Sequence, residues 1–309
     1  FLAVTQALDA DLRSAVVRAT SVGFAIAPVV VLLIVAVEWA SGSRGLWDAA
    51  RTTSAFSQGA AIHAMVAGPL FVTLWRDGDR RLALSLAASI LLAAGVVNNV
   101  AARIAIGTGA MVAIIVYAQP ALRHVLYAGV IATIVVGPLV MPVAIKNSAA
   151  CALVEGQASA LHRFGIWAYV RSEIDQRPVT GMGLGGARLL SELEGRVDLT
   201  ALCPDGLTEK QQKRRLKQAL PTHPHNNVLQ VWLELGAVGA AIAAMALMVA
   251  LAGQSARRPS RAQFAGFATG LAAMFVIANL SYGVWQGWWV ASLFLAIAFL
   301  RQALQPVDR

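Results

Sequence analysis

The sequence predicts an all-α integral membrane protein, a polytopic bundle of about eight transmembrane helices with one long loop carrying amphipathic helices. Of the 309 residues, 58% are hydrophobic and only 13% are charged, whereas a typical soluble domain is about 25% charged. The mean hydropathy is +0.64. The apolar residues also form runs long enough to cross a bilayer, which takes about 20 residues. A soluble globular domain is therefore excluded.

The predicted spans divide the chain into three parts. Residues 1–145 form an N-terminal bundle of about five spans, residues 146–225 form the long loop, and residues 226–309 form a C-terminal bundle of about three spans. The third and fourth spans are short and are linked by only a few residues. The predicted spans cover residues 23–40, 54–75, 82–97, 101–118, 125–145, 226–251, 263–280 and 287–300.

Arginines in the short loops predict the orientation of the chain in the membrane. Arg and Lys are held on the cytoplasmic side of short loops. One side carries Arg13, Arg18, Arg76, Arg80, Arg81, Arg123, Arg257, Arg258, Arg261, Arg301 and Arg309, and the other short loops hold Arg44, Arg51 and Arg103. We therefore expect both ends of the sequence to be cytoplasmic and the loop 146–225 to be extracytoplasmic. This distribution explains the net charge of +9, and no basic helix with interleaved aromatics points to nucleic acid as a partner.

The long loop contains both cysteines and all four lysines of the sequence. Connections of this length tend to be functional. Cys151 and Cys203 would both lie on the oxidising side of the membrane, so they form either a disulfide that closes the loop or two unpaired buried thiols. The basic stretch 209–218 is either a solvated helix face or a surface that attracts an anionic glycolipid.

An amphipathic helix is predicted within the loop at residues 158–176. Its apolar residues recur at spacings of three and four, which is the helical period; they are Leu161, Phe164, Trp167, Val170 and Ile174. Its aromatic residues suit a helix that lies in the membrane interface. Arg163 and Arg171 are then either solvated or paired with lipid headgroups, unless a second observation gives them another role.

A glycine-rich segment at residues 181–186 follows this helix. Its spacing fits a dinucleotide fingerprint, but no strand-helix-strand alternation surrounds it, so a Rossmann site is rejected. The glycines could let the backbone approach another group closely, and the helix predicted at 187–193, with Arg188 beside its start, could form a phosphate cradle. A plain tight turn is the alternative.

Two histidines flank a proline at the end of the loop, where the next span begins. His223 and His225 could bind zinc, but zinc needs three or four ligands and the remaining histidines lie elsewhere in the predicted topology. A neutral imidazole that serves as a general base is favoured instead, and a helix-capping or turn histidine is the structural alternative. Arg103, near the end of a span, either extends to the membrane surface or faces a polar cavity.

The loop and the span that follows it resemble the O-antigen ligase and O-antigen polymerase superfamily of bacterial inner-membrane glycosyltransferases. The ligase signature is His, then Asn, Ser or Gln, then nine residues, Gly, two residues, Gly and two threonines. The chain matches it with His225, Asn226, Gly236 and Gly239, and departs from it at Ala240 and Ala241. The block that precedes the histidine in the family resembles Arg163, Trp167, Pro178, Gly181, Gly183 and Gly185.

This resemblance implies an enzyme that transfers an undecaprenyl-diphosphate-linked O-antigen-type glycan to a periplasmic acceptor, either lipid A-core or a growing glycan chain. It implies no metal and no cofactor. Carried over residue by residue, His225 is the base and Arg163 binds the diphosphate, with Arg188 and Arg103 as further cations for the same charge. His223, Asn226, Trp167 and the glycines 181, 183, 236 and 239 are supporting residues.

The resemblance also implies a multi-pass protein of the Gram-negative inner membrane whose active loop faces the periplasm. Family members usually have more spans than those counted here, so we expect further helices before Phe1. Ligase and polymerase of the same superfamily both remain open, because the two alanines replace the ligase threonines. A non-catalytic transporter of lipid-linked glycans would need ionisable residues along several spans, and the sequence offers His63 and Arg103. A metal-dependent hydrolase is a third alternative.

Overall fold

The computed structural model describes residues 10–42, 45, 48, 54–145, 158–193, 195–198, 216–255 and 259–305. This part of the chain is almost entirely helical, which confirms the predicted all-α class. The helices are α1 (Ala10–Ala40), α2 (Ser54–Arg76), α3 (Arg80–Val96), α4 (Val100–Ala118), α5 (Arg123–Ile145), α6 (Ala158–Gln176), α7 (Gly186–Glu192), α8 (Asn227–Ser255), α9 (Arg261–Leu280) and α10 (Gly287–Ala303). A single 3₁₀ turn at Pro120–Leu122 joins α4 to α5.

Each of the eight predicted spans falls on one of these helices. Six of the helices, α1, α2, α4, α5, α8 and α9, are long and apolar enough to cross a membrane. The other two predicted spans correspond to α3 and α10, which have 17 residues each. The first helix starts at Ala10, earlier than predicted, because hydropathy detects only the apolar part of a helix and not its polar first turns.

The described chain forms two compact units. The first unit comprises residues 1–123, 254–277 and 290–309, and the second comprises residues 124–253 and 278–289. In the first unit, α2 packs against α1, α3 and α4. Gly68 and Gly109 allow the close approach of Thr269 on α9, because a Cβ on either glycine would lie 2.6 Å or 3.0 Å from that residue.

The second unit contains the predicted amphipathic helix, with the same bounds in α6. Its apolar face is buried: Leu161, Val170 and Ile174 are at most 1% exposed. That face packs in one apolar cluster with residues of α7 and α8. The predicted apolar face is therefore confirmed, and it packs against protein side chains. The position of this helix in the membrane interface stays a prediction.

A short antiparallel hairpin completes the second unit. Strand β1 (Arg196–Asp198) pairs with β2 (Leu216–Gln218), and Arg196 lies opposite Gln218. The sequence patterns did not predict it, since three-residue strands carry too little periodicity. Of the predicted basic stretch, residues 209–215 lie outside the described residues, as do Cys151 and Cys203, so the disulfide stays a prediction.

Candidate functional site at the start of α8

Helix α8 is broken at Gly236, whose backbone torsions (φ 61°, ψ −160°) are not helical. A break leaves carbonyl groups on one side and N–H groups on the other without helical partners. The segment between α6 and α7, at residues 178–183, packs against this break. It supplies N–H groups to the unpaired carbonyl groups and carbonyl groups to the unpaired N–H groups. The hydrogen bonds run from Met182 N to Leu233 O (2.9 Å), Gly183 N to Glu234 O (2.8 Å), Ala237 N to Pro178 O (2.9 Å) and Val238 N to Val179 O (3.2 Å).

The glycines of the two predicted blocks make this contact possible. A Cβ on Gly181 would lie 2.5 Å from the backbone carbon of Glu234, and a Cβ on Gly236 would overlap the carbonyl of Val179. Both residues also have positive φ angles, 68° and 61°, which residues with a side chain rarely adopt. The prediction that the glycines let the backbone approach another group is confirmed, and that group is the broken turn of α8.

Asn226 fixes the start of α8 and therefore the position of the histidines before it. Its side-chain oxygen accepts a hydrogen bond from Leu229 N at 2.9 Å, which is the geometry of a helix N-cap. The imidazoles of His223 and His225 lie immediately outside this helix start, as the sequence predicted.

His225 adopts φ 54°, the one positive φ among the described non-glycine residues. Its Nδ1 lies 2.6 Å from the carbonyl oxygen of Ser281. A carbonyl can only accept, so Nδ1 carries the proton and donates it. In the neutral ring the lone pair is then on Nε2, which is the arrangement a general base requires.

His223 has the opposite tautomer. Its Nδ1 accepts a hydrogen bond from the backbone N–H of His225 at 3.2 Å, so the proton of the neutral ring lies on Nε2. The two rings meet edge to face with centroids 4.3 Å apart. A Cβ on Gly283 would lie 2.9 Å from the His223 ring, so glycine at that position makes room for it.

Trp167 on α6 holds the turn between the two histidines. Its indole Nε1 donates to the carbonyl oxygen of Pro224 at 3.0 Å, and the contact is buried. Trp167 therefore fixes the backbone that carries both imidazoles, and this contact is a structural basis for its predicted supporting role.

Arg163 lies one turn before Trp167 on α6 and acts electrostatically on both histidines. Burial, the proximity of His225 and the positive charge of Arg163, in that order, lower the pKa of His223 to about 4. Burial also lowers the pKa of His225 below 6.5, and Arg163 adds to this while the Ser281 hydrogen bond opposes it. Both imidazoles are therefore neutral at neutral pH.

Burial also lowers the pKa of the Arg163 guanidinium itself. No described residue forms a hydrogen bond or an ion pair with it. By contrast, Arg171 on the same helix is paired with Asp175 at 2.5 Å. A half-buried cation that no described residue binds through a hydrogen bond or an ion pair can receive an anionic group. Arg163 and Arg171, which the sequence could not distinguish, therefore differ in the structure.

A pocket of about 670 Å³ opens beside His223 and extends to Arg188. At its wall lies Glu234, which is completely buried. Its carboxylate accepts hydrogen bonds from Gly185 N (3.1 Å), Ala187 N (3.4 Å), Gln230 Nε2 (3.1 Å) and Trp285 Nε1 (2.5 Å). The first two of these groups form the start of α7.

The predicted phosphate cradle at the start of α7 is therefore not available, because the carboxylate of Glu234 already occupies its N–H groups. Arg188 is exposed and lines the pocket. Sequence reasoning missed Glu234, although an ionisable residue inside an apolar span is itself a signal of function. The expectation that spans offer only His63 and Arg103 was thus incomplete.

The other predicted residues lie in the first unit and have partners within it. The guanidinium of Arg103 donates to the carbonyl oxygens of Ala94 (2.9 Å) and Val97 (3.2 Å), at the end of α3. His63 is buried, and its Nε2 lies 3.2 Å from Ser89 Oγ. In the described part of the chain, no group of three or more His, Cys, Asp or Glu residues has metal-binding geometry. The absence of a metal from the reaction stays a prediction.

The fold and the site define a multi-pass α-helical membrane protein with a paired-histidine and arginine site where a loop meets a broken span. Residues 99–244 match the family model described as O-antigen ligase. This match confirms the resemblance to the O-antigen ligase superfamily that His225 and the glycines carry.

Similar proteins occur in rickettsiae, and each of them is named "putative polysaccharide ligase". The protein of Rickettsia conorii is 25% identical over 257 residues, which cover 81% of this chain and 58% of the relative. The protein of Rickettsia felis is 23% identical over the same shares. The protein of Rickettsia prowazekii is 28% identical over 182 residues, 56% of this chain and 41% of the relative. The chain thus spans less than two thirds of these relatives, and no solved structure gives a significant match.

Proposed function

We propose that the protein is a glycosyltransferase that moves an undecaprenyl-diphosphate-linked O-antigen-type glycan onto a periplasmic acceptor, lipid A-core in the ligase case. The observation that supports this most directly is the tautomer of His225. Its Nδ1 proton is held by Ser281 at 2.6 Å, so Nε2 is free to take a proton from an acceptor hydroxyl. The match to the O-antigen ligase family over residues 99–244 supports the proposed class of substrate.

In the proposed reaction, the acceptor hydroxyl oxygen attacks the anomeric carbon of the lipid-linked sugar. The bond between that carbon and the diphosphate oxygen breaks, and a new glycosidic bond forms. The hydroxyl proton passes to Nε2 of His225, and undecaprenyl diphosphate leaves with the bonding electrons. Burial keeps His225 neutral before this step, and the proton is later released to water.

Arg163 is proposed to bind the leaving diphosphate. A leaving diphosphate accumulates negative charge, and a fixed guanidinium in a poorly solvated place stabilises that charge more than it would in water. Arg163 lies one turn before Trp167, which contacts the turn of the two histidines, and its charge lowers the pKa of both. This placement supports a diphosphate contact near the base. Arg188, at the pocket wall, is a second cation for the same anion, and Arg103 remains a further proposed contact.

The proposed location is the inner membrane of a Gram-negative bacterium, with the site facing the periplasm. Six helices long enough to span a membrane and the arginine distribution support it. We propose the same three-part division as in the sequence: an N-terminal bundle at 1–145, a catalytic loop at 146–225 and a C-terminal bundle at 226–309. The partners are then the lipid-linked glycan, its acceptor and the surrounding lipids.

Replacing His225 tests the role of the base. His225→Asn is the preferred variant, because Asn tolerates a positive φ and so keeps the backbone of the turn. We expect glycan transfer to fall by a factor of at least about 100, the usual contribution of general base catalysis, with membrane insertion unchanged. His124→Ala is the control, since His124 is an exposed histidine at the start of α5 and is not among the groups that shift the pKa of His225. Transfer at the wild-type rate in His225→Asn would refute the assignment.

Arg163→Lys tests the diphosphate clamp. Lysine keeps the charge but cannot form the two parallel hydrogen bonds of a guanidinium, so turnover should decrease. Arg171→Lys is a matched control on the same helix, because Arg171 is already paired with Asp175. Wild-type turnover in Arg163→Lys would count against the clamp.

The glycolipids of a deletion strain distinguish the two enzymes of the superfamily. Loss of a ligase leaves core lipid without attached polymer. Loss of a polymerase instead leaves core lipid carrying single repeat units.

A further inference from the structure

We propose that the pocket between α7, α8 and the turn after α9 is a carbohydrate subsite that holds one pyranose ring of the transferred or accepting glycan. Trp285 supplies the surface on which the ring stacks, and Gln286 accepts a hydrogen bond from one of its hydroxyl groups. This proposal rests on the proposed glycosyltransferase function, and it names the part of the site that recognises sugar and not phosphate.

Trp285 has the properties of a stacking surface. Its side chain is large and 49% exposed, yet its one polar atom, Nε1, is held by the Glu234 carboxylate at 2.5 Å. The indole is therefore anchored at its polar edge while much of its apolar surface remains open. A fixed, exposed aromatic ring at a pocket wall can pack against the C–H face of a sugar without the entropy cost of being ordered first.

Gln286 provides the second observation, since it leaves an acceptor unsatisfied. Its Oε1 is buried and has no hydrogen-bond partner among the described residues. A buried polar atom of this kind costs free energy until a donor reaches it. Gln286 lines the same pocket as Trp285, so a donor that enters the pocket can satisfy it.

His223 adds a donor to the same pocket. The bond that its Nδ1 accepts from the His225 N–H places the ring proton on Nε2, and His223 lines the pocket. A hydroxyl group can both donate and accept. Neighbouring hydroxyls of one sugar ring therefore match a pocket with a free acceptor at Gln286 and a free donor at His223.

Arg188 lies at the wall of this pocket and is the proposed contact of the diphosphate; the other polar groups argue for a neutral polyol over other ligands. The carboxylate of Glu234 already accepts four hydrogen bonds, which uses the capacity of a carboxylate, so it positions Trp285 and does not contact the ligand. The volume of about 670 Å³ is much larger than a single phosphate needs and lies in the usual range for small-molecule sites. A lipid chain would leave the Gln286 oxygen unsatisfied.

The test compares Trp285→Ala, Trp285→Phe and Gln286→Ala in the full chain purified in detergent. Michaelis constants are measured with the lipid-linked donor and the acceptor varied in turn. Trp285→Ala should raise the Michaelis constant for one of the two glycans about tenfold, as the loss of an aromatic stacking partner does. Turnover at saturation should stay within a factor of about three, because the reacting groups are untouched. The glycan whose constant rises identifies the ring in the pocket as donor or acceptor.

Trp285→Phe separates stacking from a structural effect. Phenylalanine keeps an aromatic face but lacks the N–H that Glu234 anchors, so it should restore part of the affinity that alanine loses. Gln286→Ala should raise the same Michaelis constant by a smaller factor, about five, for one lost hydrogen bond. Trp75→Ala is the control, since Trp75 is similarly exposed at 42% and belongs to the other unit. Unchanged Michaelis constants for both glycans, or a Phe variant as impaired as the Ala variant, would overturn the subsite.

Direct binding separates this proposal from the glycosyltransferase function. Free core oligosaccharide and free repeat-unit oligosaccharide, both without diphosphate, serve as probes in saturation-transfer NMR with the wild type, Trp285→Ala and His225→Asn. We expect His225→Asn to bind one probe while transferring nothing, and Trp285→Ala to lose that binding. Binding without transfer in the wild type would refute the glycosyltransferase and keep the subsite. Transfer in the wild type with equal binding in Trp285→Ala would refute the subsite alone.

Discussion

Replacing Glu234 by glutamine tests whether its carboxylate holds the start of α7 against α8. The side chain is completely buried, and its two oxygens accept four hydrogen bonds from Gly185, Ala187, Gln230 and Trp285. Glutamine has nearly the same shape, but one oxygen becomes an NH₂ group. In either orientation of the amide, its NH₂ group then faces two N–H groups and cannot accept their hydrogen bonds.

The expected loss follows from which pair of hydrogen bonds glutamine gives up. The amide oxygen should keep the shorter pair, which includes Trp285 Nε1 at 2.5 Å, and lose the bonds from Ala187 N (3.4 Å) and Gln230 Nε2 (3.1 Å). A hydrogen bond to a charged group contributes about 1.5–3 kcal/mol. Removing a buried charge offsets part of this. We therefore expect the free energy of unfolding to fall by about 3 kcal/mol.

Equilibrium unfolding with SDS in mixed micelles measures this change. Glu192→Gln is the matched control, because Glu192 is an exposed carboxylate at the end of α7, and it should change stability by less than about 0.5 kcal/mol. If Glu234→Gln unfolds at the same SDS fraction as the wild type, the carboxylate is not the acceptor that joins α7 and α8, and the positioning role of Glu234 is refuted.

Three further predictions follow from the same unit. Gly236→Ala should prevent recovery of folded protein by size-exclusion chromatography, because a Cβ there overlaps the Val179 carbonyl; normal recovery would contradict the docked segment. The rate of glycan transfer should fall on acidification with a midpoint below pH 6.5, because burial lowers the pKa of the neutral base His225; a midpoint above 6.5 would contradict it. The free energy of unfolding should decrease as pH falls from 6.5 to about 4, because the unfolded state protonates His223 first; no change across this range would refute its burial.

The elements that sequence predicted well are those whose signal is local. The bounds of α6 follow from apolar residues at a helical spacing, and Leu161, Val170 and Ile174 are buried as that spacing requires. The start of α8 follows from Asn226, a capping residue directly before an apolar run. In each case, residues within two or three turns of one another determine the structure, so no knowledge of distant contacts is needed.

The parts that could not be predicted depend on contacts between distant segments. The backbone bonds between 178–183 and the broken turn of α8 join residues more than 50 positions apart, such as Met182 and Leu233. Hydropathy treats residues 226–251 as one uniform span, because a single glycine and a single glutamate hardly change a 20-residue average. Hydropathy therefore predicted neither the break at Gly236 nor the buried Glu234, because both lie within a strongly apolar segment of the second unit.

The structure gives the ligase signature a physical interpretation from one end to the other. Asn226 caps α8, and the nine residues after it extend the helix by about 14 Å to Gly236, where the docked segment enters. Gly239 then packs against the displaced Leu235.

The departures from the signature fall beyond this point. Ala240 is buried at 1% in the apolar cluster of the second unit, and neither it nor Ala241 lines the pocket. A threonine at 240 would add a hydroxyl among apolar side chains, where it could bond only back along its own helix. The alanines thus change packing behind the site and leave its proposed base, cation and sugar pocket intact, so they do not favour polymerase over ligase.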